Sequence, residues 1–292
     1  MLEKTKAAIK AELTKGIVDA TTCFDPAPMP GAGAANVLKA LKEDINNSKQ
    51  SIMEDKDLRF LNECTNEQLQ LLVDFIIYDK DGKKRYTEQL SNVDGFEDNY
   101  PDNIKALLPY AIDELQRFGG NTIFNLVRGH GVSYREILED VCEKLKVNFN
   151  KDNSTELLEQ YMLQKFLIMS IDKMTEEDAR HLSANLSKEA LKQQIGLLKA
   201  GSPIFIRLIT MLVANLAKSW GLRQAGVLVA KFAGSRAFTI LTGPIGWVLT
   251  AIWTAFDVAG AAYRVTIPCT IIVAYLRIIS NKTEEELDNI LR

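Results

Sequence analysis

The sequence predicts an all-α fold, a multi-helix bundle with a polar N-terminal helical region and an apolar C-terminal one. Three observations carry the prediction. Apolar residues recur at helical spacing in segment after segment, as in Leu69, Leu72, Val73 and Ile76. Capping patterns open several of these segments, whereas strand signals are few. The 292-residue chain is also lopsided: 203–279 is an almost unbroken apolar block whose one acidic residue is Asp257.

Residues 1–50 read as an added N-terminal piece. Positions 2–20 form an amphipathic helix with Ile9, Leu13 and Ile17 on one line. Asp25–Gly33, dense in Pro and Gly, is a linker. A short helix follows from Val37 to Ile45.

Residues 51–200 form the polar helical domain. Asp57 to Leu90 reads as one unit, in which Thr65 and Gln68 make a capping box. Asp81-Gly82 closes it in a turn, with a hairpin half over Phe75–Gly82 as the alternative. Pro101–Phe118 is helical, and Gly119-Gly120 stops it so that Asn121 can cap the next helix. Gly129-His130-Gly131 is a further break. Ser133 and Glu136 then open a helix through Leu145. Asn153 with Glu156 opens another to about Asp172, and Thr175 with Asp178 one to about Lys199.

Residues 203–280 form the apolar region, followed by an acidic tail at 281–292. Breaks are expected at Ser219-Trp220-Gly221, at Gly234-Ser235 and at Gly243-Pro244-Ile245-Gly246, and Pro268 should interrupt the last helix. Ala237–Phe256 is 20 residues without a charge, long enough to span a bilayer. The Gly243–Gly246 tetrapeptide makes it a hydrophobic hairpin instead, entering over Ala237–Leu241 and leaving over Trp247–Phe256. Trp247, Trp253 and Tyr263 would anchor it at an interface. Asp257 and Arg264, seven residues apart, share a face and would need partners in lipid. Arg207 and Lys218 share a face if their helix is continuous.

Charge follows the same division. Residues 203–292 hold nine Lys/Arg against five Asp/Glu, and 1–202 hold 26 against 33. A basic apolar end suits an anionic lipid surface. Its sparse charges embedded in aliphatic sequence are a poor nucleic-acid footprint. Cys23, Cys64, Cys142 and Cys269 include no CxxC pair, which disfavours a zinc or redox motif and fits a reducing cytosol. Asp79, Asp81, Gly82 and Glu88 imitate part of a calcium loop, but Ile77 would fall at the first ligand position and three cations follow. No metal and no cofactor are expected.

The remaining chemical candidate is the turn around His130. A histidine between two glycines, beside Arg128 and ahead of Tyr134 and Glu136, could meet a ligand or partner. The plain reading is an interhelical turn whose polar groups bond helix ends. His181, three residues after Asp178, reads as a surface helix residue.

Two stretches resemble the bacterial YaaW-like family of uncharacterised proteins. One is Asp57-Leu-Arg-Phe-Leu-Asn-Glu-Cys64 with Tyr78-Asp-Lys-Asp-Gly-Lys-Lys-Arg85 and Thr87-Glu88. The other joins Leu115–Thr122, Arg128–Gly131 with Tyr134, and Ala262-Tyr-Arg-Val-Thr-Ile-Pro268. The resemblance runs from about 57 to 279 and implies no known reaction. The family's middle region is grouped with helical chaperones of ubiquinol–cytochrome c reductase assembly, which implies a helical binder beside a membrane.

The expected function is non-enzymatic: a cytoplasmic protein, peripheral to or inserted at the inner membrane, acting as an adaptor or chaperone-like binder. Its apolar helices would engage membrane lipid or an apolar protein segment. A pore-forming effector with a hidden hairpin and an enzyme with a site near His130 are the alternatives.

Overall fold

One helix organises the molecule. In a computed structural model that describes residues 55–85, 88–119, 131–182, 186–232, 235–256 and 263–291, thirteen of the seventeen residues of Tyr263–Ile279 are buried. Six other helices and the 3-10 turn Arg59–Glu63 pack around it. The described residues fall within one compact unit, Ser48–Arg292, so helices from 51–200 and from 203–280 share a core.

The protein is all-α. Among the described residues the helices are α1 (Asn66–Ile77), α2 (Phe96–Asn99), α3 (Ile104–Gly119), α4 (Tyr134–Lys144), α5 (Thr155–Asp172) and α6 (Glu176–Leu182). They continue with α7 (Lys188–Leu197), α8 (Pro203–Ser219), α9 (Gln224–Ala230), α10 (Arg236–Phe256), α11 (Tyr263–Ile279) and α12 (Glu284–Leu291). Around α11 stand α1, α3, α4, α5 and α8, with α10 touching it at an edge; α7 and α10 pack on α5, and α10 also covers α8.

The caps explain most of the starts. At α1 the Thr65 hydroxyl accepts from Gln68 N while the Gln68 side chain accepts from Thr65 N, a complete capping box. Ser133 opens α4 by accepting from Glu136 N. Between α1 and α2 the chain turns over Asp79–Lys83. The Asp79 carboxylate accepts the N–H groups of Asp81 and Lys83, and one bridge pair, Tyr78 with Lys84, stands where a hairpin was the alternative. That carboxylate serves the turn itself.

Several expected boundaries move. Ser154, not Asn153, caps α5, because the Asn153 side chain is engaged by Asn150 N. The segment expected as one helix from Thr175 to Lys199 is α6 and α7, the second opened by Ser187 accepting from Ala190 N. The acidic tail contains α12, capped by Thr283 and tied to α9's end by a 2.7 Å pair between Lys231 and Asp288.

Two expected breaks are absent. Gly243–Gly246 lies inside α10, so the hairpin tip is not there. Phe238, Leu241, Ile245 and Val248 put one buried face on that helix across the tetrapeptide, and their burial carries the helix through it. Pro268 likewise lies inside α11, wholly surrounded by buried neighbours. A proline lacks the N–H that would reach the carbonyl four residues back, here Arg264. The Arg85 guanidinium supplies the replacement, donating from Nη2 to that carbonyl at 3.3 Å.

Residues 1–54 are outside the described residues, so the expected N-terminal helix, linker and short helix are as well. The same holds for Asn121, Arg128, His130 and Asp257, and for the side chains of Trp247 and Trp253 within α10.

Candidate ligand cavity

A cavity of about 590 Å³ opens where α5, α6, α7, α8 and α10 meet. Two walls are written in the same register. On α7 and its C-cap the lining positions are Leu191, Gln194, Ile195 and Leu198; on α8 they are Ile204, Arg207, Leu208 and Met211. Each set is spaced i, i+3, i+4, i+7, one face of a helix. Leu167 and Ile171 from α5 and Ala237 and Leu241 from α10 add pairs spaced i, i+4. The volume lies within the range of small-molecule sites, roughly 300–1,000 Å³.

The polar interior of the walls is already satisfied. The buried Gln164 amide on α5 donates to the carbonyls of Ile195, Gly196 and Leu198 at 3.2, 3.3 and 2.9 Å, which fixes the end of α7. Gln160 accepts from Ala200 N, and Ser202 caps α8 by accepting from Phe205 N. Exposure falls along α8: Ile204 is 59% exposed, Arg207 is partly buried and Met211 is 1% exposed. The mouth is therefore at Ile204 and the floor at Met211.

A second, polar cavity is lined by Glu88, Asp113, Glu114 and Arg117. Its carboxylates are committed. Glu88 accepts from the backbone and hydroxyl of Ser91, Glu114 accepts from Gln89 N at 2.9 Å, and Asp113 pairs with Arg117 at 2.7 Å. Burial pushes the Glu114 carboxyl up.

The residues around His130 do not converge on one site in the parts described. Tyr134 is fully buried and its hydroxyl donates to Glu159 at 2.7 Å. Glu136 is exposed at the α4 N-terminus beside Ser133. Gly131 runs so close to α3 that a side chain there would strike the backbone of Gln116 and Arg117. Asp55 holds this corner by accepting from Tyr134 N at 2.8 Å and from the Gln116 amide at 3.0 Å.

Glu159 sits at the centre of a buried charge cluster. Arg277 donates to it from Nε at 2.7 Å and from Nη2 at 3.2 Å, donates also to the Asp57 carbonyl, and lies 4.1 Å from the Phe60 ring centroid. Burial pushes the Glu159 carboxyl up, and Arg277 and Tyr134 oppose that shift. Burial likewise pushes the thiols of Cys64 to about 11 and of Cys142 and Cys269 to about 12, which leaves them unreactive hydrophobes.

Of the proposed hairpin residues, Gly243 is exposed on α10 with open space around it, and Pro244 and Gly246 are partly buried on the same helix. Arg264 is exposed at the start of α11. Among the described residues no single helix is long and apolar enough to cross a membrane; α11 and α12 pass together by composition but are bent by 109°. Among those residues, too, no group of three or more His, Cys, Asp or Glu could hold a metal.

A single helix over Thr175–Lys199 hides the cavity, because its α7 wall begins only at the Ser187 cap. Splitting the segment at Ser187 exposes the matching stripes 191, 194, 195, 198 and 204, 207, 208, 211.

The fold and cavity define a helical protein with an apolar pocket at the edge of its core. Comparison with known proteins places it among relatives. Residues 53–86 match a domain of unknown function, DUF3944. A UPF0174 protein of Helicobacter pylori strain J99 is 38% identical over 244 residues, covering 80% of this chain and 94% of the relative. UPF0174 protein YaaW of Escherichia coli K12 is 31% identical over 236 residues, covering 80% and 98%. The chain belongs to the UPF0174 family. No solved structure matches it.

Proposed function

We propose that this chain is a non-enzymatic helical binder that takes an apolar guest into the α5–α10 cavity and acts as an adaptor or chaperone-like protein beside the cytoplasmic membrane. The guest is a lipid chain or an apolar protein segment. The observation that carries the reading is the cavity's lining, twelve aliphatic or methionine side chains with Gln194 and Arg207 as its polar members. Leu197 and Ile204, 83% and 59% exposed, flank the α7–α8 connection beside its mouth. The basic surplus of 203–292 favours approach to an anionic bilayer.

The test is binding of a polarity-sensitive apolar dye by the full chain, with Leu241→Trp as a cavity-filling variant. Blue-shifted emission that Leu241→Trp removes without lowering the unfolding temperature supports the reading. Emission that stays at the level of dye in buffer overturns it. Co-sedimentation with vesicles rich in anionic lipid tests the membrane half separately.

A further inference from the structure

We propose that the occupant of this cavity is a single-chain fatty acid, its carboxylate on Arg207 and its alkyl chain directed toward Met211. The proposal rests on the binder reading above and names the ligand class. Among the described residues Arg207 is the one charged residue lining the cavity, and no acidic residue lines it. Among the described residues Arg207 has no hydrogen-bond or ion-pair partner. A cavity with one cation, one neutral amide at the rim and otherwise apolar walls complements an amphiphile with one negative charge.

The order of groups along α8 matches the order of groups in such a ligand. Ile204 is at the mouth, Arg207 one turn further in, and Met211 at the buried end. A carboxylate at Arg207 stays near water and accepts two parallel N–H donations from the guanidinium fork. The chain beyond it leaves water among Leu167, Leu191, Ile195 and Leu241. Gln194, exposed on the α7 wall, offers a neutral amide at the rim.

The experiment is displacement of dansyl-labelled undecanoic acid from the purified full chain, at ligand concentrations below micelle formation. Palmitic acid is expected to displace the probe about tenfold more effectively than cetyl alcohol, which has the same chain and a neutral head. Myristic acid, two methylenes shorter, should be weaker than palmitic acid by roughly fifteenfold. Arg207→Gln should abolish the preference for acid over alcohol and leave cetyl alcohol unchanged, and Arg207→Lys should keep part of it. Equal displacement by acid and alcohol overturns the carboxylate proposal and leaves the binder reading standing. A preference that survives Arg207→Gln overturns it too. No displacement by either ligand, together with no dye binding, removes both.

Discussion

Arg85 and Pro268 are partners through a carbonyl that belongs to neither. Pro268 has no N–H for the Arg264 carbonyl, and Arg85 Nη2 donates to that oxygen at 3.3 Å. The guanidinium lies 5.0 Å from the Trp220 ring centroid, and its Nη2 also reaches the Phe75 carbonyl at 3.5 Å. One arginine thus joins the end of α1, the end of α8 and the start of α11. It lies within the stretch that matches DUF3944.

The two residues should be energetically coupled. Arg85→Met is expected to destabilise the wild-type chain by about 0.5–1.5 kcal/mol, because it removes the donor that stands in for the missing proline N–H. Pro268→Ala restores the N–H, so Arg85→Met should cost less in that background. Urea unfolding of the four proteins measures the coupling; equal costs in both backgrounds would refute the link.

Arg277 and Glu159 form a buried pair whose halves depend on each other. Their side chains are 16% and 3% exposed. Arg277→Met should cost about 3–5 kcal/mol by stranding the carboxylate. Adding Glu159→Leu should recover much of that loss. A double variant less stable than the single one would show that the carboxylate is not stranded and that its bond from Tyr134 outweighs its burial.

Asp74 predicts a pH dependence. Burial pushes its carboxyl from 3.8 up to about 6, against the hydrogen bond that Tyr100 donates at 2.8 Å. A carboxyl raised in the folded state holds its proton more tightly there than in the unfolded chain. Its contribution is therefore complete below 3.8 and is lost as pH rises through about 6. The loss amounts to about 3 kcal/mol at most. Asp74→Asn should be more stable than wild type at neutral pH and similar to it near pH 4, as measured by urea midpoints at roughly those two values.

Gly243 separates a helix from a hairpin tip. It is helical and exposed, and a Cβ there would meet no other part of the fold within 4 Å. Gly246→Ala, on the same helix with open space for a Cβ and no proline after it, should therefore stabilise the chain by about 0.5–1 kcal/mol. A drop in unfolding temperature would restore the turn at that position.

Local chemistry made the helix starts legible. Thr65 with Gln68 and Ser133 with Glu136 carry their signal within four residues. The stop at Ser219–Gly221 was equally readable, because Gly221 takes a φ of 65° that side chains disfavour. Pro268 misled because its penalty is local while its remedy is not. Arg85 stands 179 residues before the carbonyl it serves. Gly243–Gly246 misled for a related reason: the burial of Leu241 and Ile245 against other helices outweighs two glycines and a proline, and no window of α10 contains that information. The cavity needed both the Ser187 boundary and the pairing of α7 with α8, and the second is purely tertiary.

The position of α11 also orders events in time. A ribosome completes α1 through α8 before it reaches Tyr263, so the faces that Tyr263–Ile279 will fill are made first and remain uncovered during synthesis. The nascent chain is then a set of apolar walls without their common post, and folding awaits one late segment. Protease resistance of stalled ribosome-bound chains should rise in a single step once Ile279 has left the exit tunnel, with little gained by any earlier length.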